Sequence, residues 1–551
     1  MKKSLMSRIL AAAMAVLMLA LTGCGGSSSS GSGSGSAPAT PPAEDGVLRM
    51  TAAFADPIDP ACTMDSASLQ MIVNMYDSLV YPDLDGSILK GAAEDYNISG
   101  DGLVYTFTLK ENMKFHDGSI VTAQDVVFSY NRMATIGQGY AYLFNGIVDT
   151  VEAPDEKTVV FTLTKPFAPF LSLLCRVYIV NEEVVMANLA SGSYGEFGDY
   201  GVAYLSEHDA GSGAYVCTNF SVNDRIVIEK FDEYHGTFAE NAPKVMELIN
   251  GTEAATVRTM MANGQLEVSD QWQTYEAYQA LDQLDGIELG GYGAGQILYL
   301  MMNTQRAPMD DVHVRRALAY LIDYDQVTNV LFPGYKPVTT YSGDSLAGSA
   351  ISIEKHSFNM DKALEEFKAS KYADQLLNGE MAIEVAWVSE VPDEEKLALL
   401  IQACAAQLGV KVEVVKVAWA THVQNTASVE STPHSSVCFM SPNYGEAGAM
   451  LYQRLHSDTA GTWEQTEWIQ DPELDALIDK ALSTIDDAER FALYDQIQQI
   501  ALDQVYGIAV SEQGEIRAYV DNIRMPMVER NMACTTLGYN FLMKDYQMLD
   551  Q

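Results

Sequence analysis

The stretch from residue 381 to 417 constrains the fold most. In "MAIEVAWV" the residues Ile383, Val385 and Trp387 recur with period two, as in a strand with one buried face. A helical run follows, with Leu397, Ile401, Cys404 and Leu408 on one side, and "VKVEVVKV" reads as a second strand. Strand, helix and strand in this length form a βαβ unit, and strands joined by such a crossover lie parallel. At least this part of the chain is therefore α/β.

Elsewhere the pattern is different. In "LVYTFTLK" the residues Leu103, Tyr105, Phe107 and Leu109 alternate with Val104, Thr106, Thr108 and Lys110, and Val159, Phe161 and Leu163 repeat the pattern. Between these strands, "HDGSIVTAQDVVFSYNRM" supplies an Asp-Gly turn. A helix follows, with Thr122 as N-cap and Asp125 able to return the hydrogen bond. This is an α+β region. Upstream, Asp65 or Ser66 can cap a helix whose apolar positions are Leu69, Ile72, Val73, Tyr76 and Val80. Near the end, Leu474, Leu477, Ile478, Ala481 and Leu482 mark one helix. Asp486 with Glu489 opens another, carrying Tyr494, Ile497 and Ile500 inward. No fixed-period repeat points to a solenoid or propeller.

The N-terminus sets the compartment. Lys2, Lys3 and Arg8 precede the apolar run from Ile9 to Leu21, the order of an export signal and too short to span a bilayer. Leu21-Thr22-Gly23-Cys24 resembles a bacterial lipobox, which makes residues 1–23 a signal peptide and Cys24 the lipidated N-terminus. The alternative is a plain secretory signal with an incidental thiol. Residues 24–46, rich in Gly, Ser and Pro, read as a tether, and the folded body starts near Val47. Acyl chains would then be the only membrane contact.

Removing the leader takes away three basic residues and no acidic ones, deepening the net charge from −41 to −44. A chain so acidic avoids nucleic acid and anionic lipid. Cys62, Cys175, Cys217, Cys404, Cys438 and Cys534 have neither C-x-x-C nor repeated spacing, so neither zinc nor a disulfide framework is signalled. Buried thiols are the expectation for most of them.

No catalytic signature appears: G-x-S-x-G, G-x-x-x-x-G-K-[ST] and H-E-x-x-H are all missing. "GGYGAGQ", from Gly290 to Gln296, lacks the dinucleotide-binding spacing and reads as a strand connection. His116 stands between a turn and a helix cap, a structural setting. His422, His434 and His456 would need the fold to gather them before they could hold a metal. The acidic run from Glu390 to Glu395 sits at a helix start, where carboxylates favour the positive dipole end. Neither catalysis, a cofactor nor a metal is expected.

Several stretches resemble, in order, the solute-binding proteins of ABC importers, in the family that includes peptide and nickel binders. "DPIDPACTMDSASLQMIVNMYDSLV" is similar to its opening Asp-Pro segment and first helix. "GLVYTFTLKENMKFHDGSIVTAQDVVFSYNRM" resembles its signature. "GSGAY" with "EKFDEYHG", then "MNTQRAPMDDVHVRRALAYLID" and "DPELDALIDKALSTIDDAERFALYDQIQ", look like its later segments.

The resemblance implies a two-lobed, type II periplasmic-binding-protein fold, α/β with an α+β insertion and a hinge between the lobes. Lobe I would comprise 47–79, 207–296 and 510–551, the insertion 80–206 and lobe II 297–509. It further implies a lipid-anchored, monomeric substrate-binding lipoprotein on the outer face of the cytoplasmic membrane, or in the periplasm where an outer membrane exists. Its partners would be a small solute, expected to be a short peptide, and the importer's permease and ATPase subunits. The alternatives are a nickel or other metal chelate, an oligosaccharide or another small solute. From another class, a surface hydrolase is disfavoured by the missing motifs, and a receptor or adhesin role is the third rival.

Peptide binders of the family hold the ligand's amino group with an aspartate, in a segment matched here by "CFMSPNYGEAGAML". Pro442 or Asn443 stands at that place, so the anchor is absent and Glu446 is the nearby carboxylate that could replace it, unless it is a solvated loop residue. The other segments that reach the cleft in relatives give Thr63, Met64, Asp65, Gln271, Trp272, Trp419, Asn443 and Tyr444 as ligand contacts. Core or hinge packing is the competing role for Trp272 and Trp419.

Overall fold

The computed structural model describes residues 46–53, 57–221, 223–333, 335–338, 340–344, 346–349 and 356–549, with the side chains of 292–295 left out. The expected signal peptide (1–23), Cys24 and most of the expected tether lie outside the described residues.

Strand β1 (Val47–Ala52) begins where the body was expected to start. Helix α1 (Ser66–Met75) is capped by Asp65, whose carboxylate accepts from the amides of Ala67 and Ser68 at 2.9 and 3.0 Å. The helix ends earlier than its apolar spacing suggested. Tyr76 is already extended, and Val80 begins a short strand, Val80–Pro82. The Gly211-Ser212-Gly213 loop abuts this end. A Cβ on Gly213 would stand 2.5 Å from the Asn74 carbonyl oxygen, and one on Gly211 would stand 2.0 Å from that of Met75. Only glycine permits that approach.

The region from 93 to 163 carries an antiparallel sheet of β2 (Ala93–Ile98), β3 (Val104–Leu109), β4 (Val148–Glu152) and β5 (Thr158–Leu163), in the order β2-β3-β5-β4. Tyr105, Phe107, Leu109, Val159, Phe161 and Leu163 are all buried, as the alternation predicts. Helix α2 (Ala123–Ile136) covers that face; the Asp125 carboxylate accepts from the Thr122 amide and hydroxyl at 2.9 and 2.7 Å. His116 cross-links the region to the glycine loop, its Nδ1 2.9 Å from Asp209 and its Nε2 3.0 Å from the Gly213 carbonyl. Its role is structural.

A second sheet pairs β1 in parallel with β8 (Val245–Asn250), followed antiparallel by β7 (Arg225–Lys230) and β6 (Tyr215–Phe220). Val268 bridges Met50 on β1 and Tyr519 on the long strand β13 (Gly507–Val520), joining this sheet to the next. There the order is Lys336–Pro337, β13, β9 (Ile287–Met302), β12 (Ser435–Met440), β10 (Ala382–Val388) and β11 (Lys411–Val417). Strands β10 and β11 are parallel across helix α3 (Pro392–Gln407), the expected βαβ unit.

"GGYGAGQ" is not a connection. It lies inside β9, with a register shift against β13 between Gly293 and Gln296. Beyond that irregularity β9 is buried on both faces. Leu298, Leu300 and Met302 enter a core with Val314, Leu397 and Ile401, whereas Ile297, Tyr299 and Met301 face a larger core with Met450, Leu474 and Tyr494. Helices on both sides of a largely apolar strand account for a run that does not alternate. Among the described residues, no helix is long and apolar enough to cross a membrane.

Candidate functional site

The strand ends open onto one large cavity, with about 920 Å³ of empty space including its mouth. It lies beyond the C-terminal ends of β1, β10 and β12, where open α/β sheets place their ligands. Thr51 and Ala52 end β1 and Ala53 follows it, and Ser66, Ala67 and Gln70 come from the start of α1. Val388 ends β10, Glu390 and Val391 lie in the turn after it and Glu394 opens α3, while Cys438 and Phe439 come from the end of β12 and Ser441 and Asn443 follow it. Gln296 on β9 and Arg517 on β13 form part of its wall.

Aromatic rings make the apolar surface. Trp272 lies 5.9 Å from Phe439, and Trp419 meets Trp463 edge to face at 5.1 Å. Rigid rings of this kind give contact area at little entropic cost. Each of two tryptophans is tied to a carboxylate through its backbone. The Trp272 amide donates to Asp270 at 2.8 Å, and the Trp419 amide donates to Glu390 at 3.1 Å.

The polar lining is unusual in what it leaves unmade. Gln70, Gln271 and Gln296 are all more than nine-tenths buried, yet Gln70 Oε1, Gln271 Nε2 and Gln296 Oε1 have no hydrogen-bond partner among the described residues. An orphaned buried amide group costs about 1–3 kcal/mol, a cost a bound ligand can relieve. Two acceptors and one donor thus stand unpaired on residues that line the cavity. Arg517 is already engaged, bonded to Glu515, to the Ser269 carbonyl and to Gln271 Oε1.

Carboxylates dominate the charge. Burial pushes Asp270 and Glu464 above the usual carboxylate range, and Glu394 well above it. Glu394 accepts from the Val388 amide at 2.8 Å, and Glu464 from Gln453 at 2.9 Å and from the Tyr142 hydroxyl.

The family model "Bacterial extracellular solute-binding proteins, family 5 Middle" matches residues 88–462, more than half of the chain. The chain is a family 5 solute-binding protein. The probable D,D-dipeptide-binding periplasmic protein DdpA of Escherichia coli (strain K12) is 28% identical over 505 residues, 88% of this chain and 93% of its own. Among solved structures, the periplasmic binding protein DppA from Helicobacter pylori, in complex with the peptide STSA, superposes with a TM-score of 0.79 at 21% identity. That match covers 92% of this chain and 98% of the other. NikZ from Campylobacter jejuni, in complex with Ni(L-His), gives 0.79 at 16% identity, covering 92% and 100%. These likenesses show the type II periplasmic-binding-protein fold, and the family consists of binding proteins rather than enzymes.

Of the contacts expected in this family 5 protein, Asp65, Gln271, Trp272, Trp419 and Asn443 line the cavity. Thr63, Met64, Tyr444 and Glu446 are not in its lining. Glu446 is instead gripped by Arg490, at 2.9 and 3.0 Å, and by the Tyr494 hydroxyl at 2.5 Å. It is neither a solvated loop residue nor part of the cavity wall. Asn443 donates to the Tyr142 hydroxyl at 2.7 Å.

The run from Glu390 to Glu395 does more than complement a helix dipole, because Glu390 and Glu394 reach the cavity. Gln70, Gln296, Trp463, Glu464 and Arg517 were not anticipated. For Gln70 and Gln296 a signal existed: each is a glutamine beside an apolar run, "QMIV" and "QILYLMM", at a position a core residue would normally fill.

Proposed function

We propose that this family 5 protein captures short peptides for an ABC importer, enclosing them between two lobes. The observation that carries this reading is the set of three orphaned amide atoms around a tryptophan-walled cavity. Peptide main chains present N–H and C=O groups that complement the acceptors on Gln70 and Gln296 and the donor on Gln271. Side chains would lie against Trp272, Trp419 and Trp463, and a carboxylate among Asp270, Glu390, Glu394 and Glu464 would meet the free amino group. Asp65, Asn443 and Tyr140 would shape the rest of the wall.

In this reading lobe I comprises 47–79, 207–296 and 510–551, the insertion 80–206 and lobe II 297–509. The long strands β9 and β13 cross both boundaries, so they are the elements on which the lobes would bend. Lipid on Cys24 would hold a monomer at the outer face of the cytoplasmic membrane, near the permease it serves. The Escherichia coli relative, a probable D,D-dipeptide-binding protein, and the peptide held by the Helicobacter pylori structure support the peptide assignment.

Native mass spectrometry of the purified protein, compared with the same protein after unfolding and refolding, tests it. A mass excess resolving into a ladder of peptides is expected. A single sharp mass of a sugar or metal chelate would overturn the peptide assignment. Palmitate labelling that disappears in Cys24→Ser tests the anchor.

A further inference from the structure

Four carboxylates of the cavity, on Asp270, Glu390, Glu394 and Glu464, have no Lys, Arg or His within ion-pair distance among the described residues. The basic residue in the lining is Arg517, and its guanidinium already pairs with Glu515 at 3.0 Å. No direct ion pair therefore offsets these four carboxylates, although Arg176 and Arg454 act on Glu464, and Arg517 on Asp270, from beyond ion-pair distance. Buried carboxylates without counter-charges are costly, and either a proton or a ligand cation must offset them.

These carboxylates share the cavity with aromatic rings. Trp419 donates its amide to Glu390, its ring meets that of Trp463, and Glu464 follows Trp463 in the chain. Glu464 is fully buried, and its bonded partners, Gln453 and Tyr142, are both neutral. Two carboxylates and two indoles lining one cavity form a setting for an alkylammonium or guanidinium group, which gains both charge-assisted hydrogen bonds and attraction to the ring faces. Gln70, Gln271 and Gln296, each with an amide atom unpaired among the described residues, line the same space.

We propose that the solute is cationic: a short peptide with a lysine or arginine side chain, whose charged end lies against Trp419 and Trp463 with Glu390 and Glu464 as counter-charges. This rests on the reading of the cavity as a peptide site. The unpaired carboxylates also disfavour acidic peptides, because a ligand carboxylate would meet Glu390 and Glu464 with Arg517 already committed.

Three of the five tryptophans line the cavity, so intrinsic fluorescence reports binding directly. The full chain, stripped by unfolding and refolding, is titrated with Ala-Lys-Ala, Ala-norleucine-Ala and Ala-Glu-Ala. The lysyl peptide is expected to bind about tenfold or more tightly than its norleucyl isostere, with the glutamyl peptide weakest. Glu390→Gln should narrow the lysyl-to-norleucyl ratio, and Glu464→Gln gives the same comparison if the first variant melts early. Equal binding of the three peptides, or preference for the glutamyl one, would overturn charge selection while leaving a peptide site in place. If none of the three binds, the peptide reading falls and the proposal with it. An unchanged ratio in a Glu390→Gln protein of normal melting temperature would overturn the role of Glu390.

Discussion

Arg517 donates from Nη2 to Gln271 Oε1 at 2.6 Å, and the Nε2 of the same amide has no hydrogen-bond partner among the described residues. The arginine therefore fixes which end of Gln271 a ligand meets. Gln271→Leu removes that donor, while Arg517 keeps its bonds to Glu515 and to the Ser269 carbonyl. Peptide affinity should fall about tenfold, the worth of roughly one hydrogen bond, with melting temperature little changed. Calorimetric titration alongside thermal melting checks both; undiminished affinity would remove Gln271 from the contact set.

The Asp-Pro segment is locked to the inserted region by a buried pair. Arg132 Nη1 and Nη2 reach the two oxygens of Asp59 at 2.8 and 2.5 Å, and both residues are almost wholly inaccessible. Arg132→Met leaves a carboxylate buried without its partner. The expected loss is about 3–5 kcal/mol, read from the midpoint of urea unfolding. A midpoint like that of the wild type would mean the pair is not closed in solution.

Glu267 supplies a pH dependence with a definite sign. Burial pushes its pKa up to about 7, although its carboxylate accepts the Arg49 amide at 2.8 Å. The folded state therefore prefers the protonated acid. The stability this contributes is present below the ordinary value of 4.5 and is lost as pH rises through 7. Glu267→Gln keeps an acceptor without the charge, so its melting temperature should gain on the wild type between pH 5 and pH 8. Parallel profiles across that interval would count against a buried, shifted Glu267.

Glu446 separates an amine anchor from a structural ion. Its carboxylate is held by Arg490 and Tyr494 outside the cavity lining. Glu446→Gln should lower the melting temperature yet leave peptide affinity within about twofold, since no ligand contact is removed. A large loss of affinity at unchanged stability would restore the anchor role.

Much of the secondary structure was legible because its determinants are local. The alternations around Phe107 and Phe161, the Thr122–Asp125 cap and the βαβ unit at 382–417 each depend on residues a few positions apart. Helix α1 shows where this fails. Tyr76 and Val80 fit the helical period, but the glycine loop at 211–213 occupies the space beside Asn74 and Met75, and the chain turns into a strand. No neighbouring residue announces a contact more than a hundred positions away.

The sequence by itself determined the family, the alternation of strands and helices, and several residues that reach the cavity, Trp272 and Trp419 among them. Only the tertiary structure decided that Gln70, Gln296, Trp463 and Arg517 join them, and that Glu446 turns away to Arg490. The reason is physical. Local pattern records which side of an element is apolar, whereas a cavity is assembled from strand ends and turns hundreds of residues apart. The partner that satisfies a polar group, or leaves it open for a ligand, is chosen by packing in three dimensions.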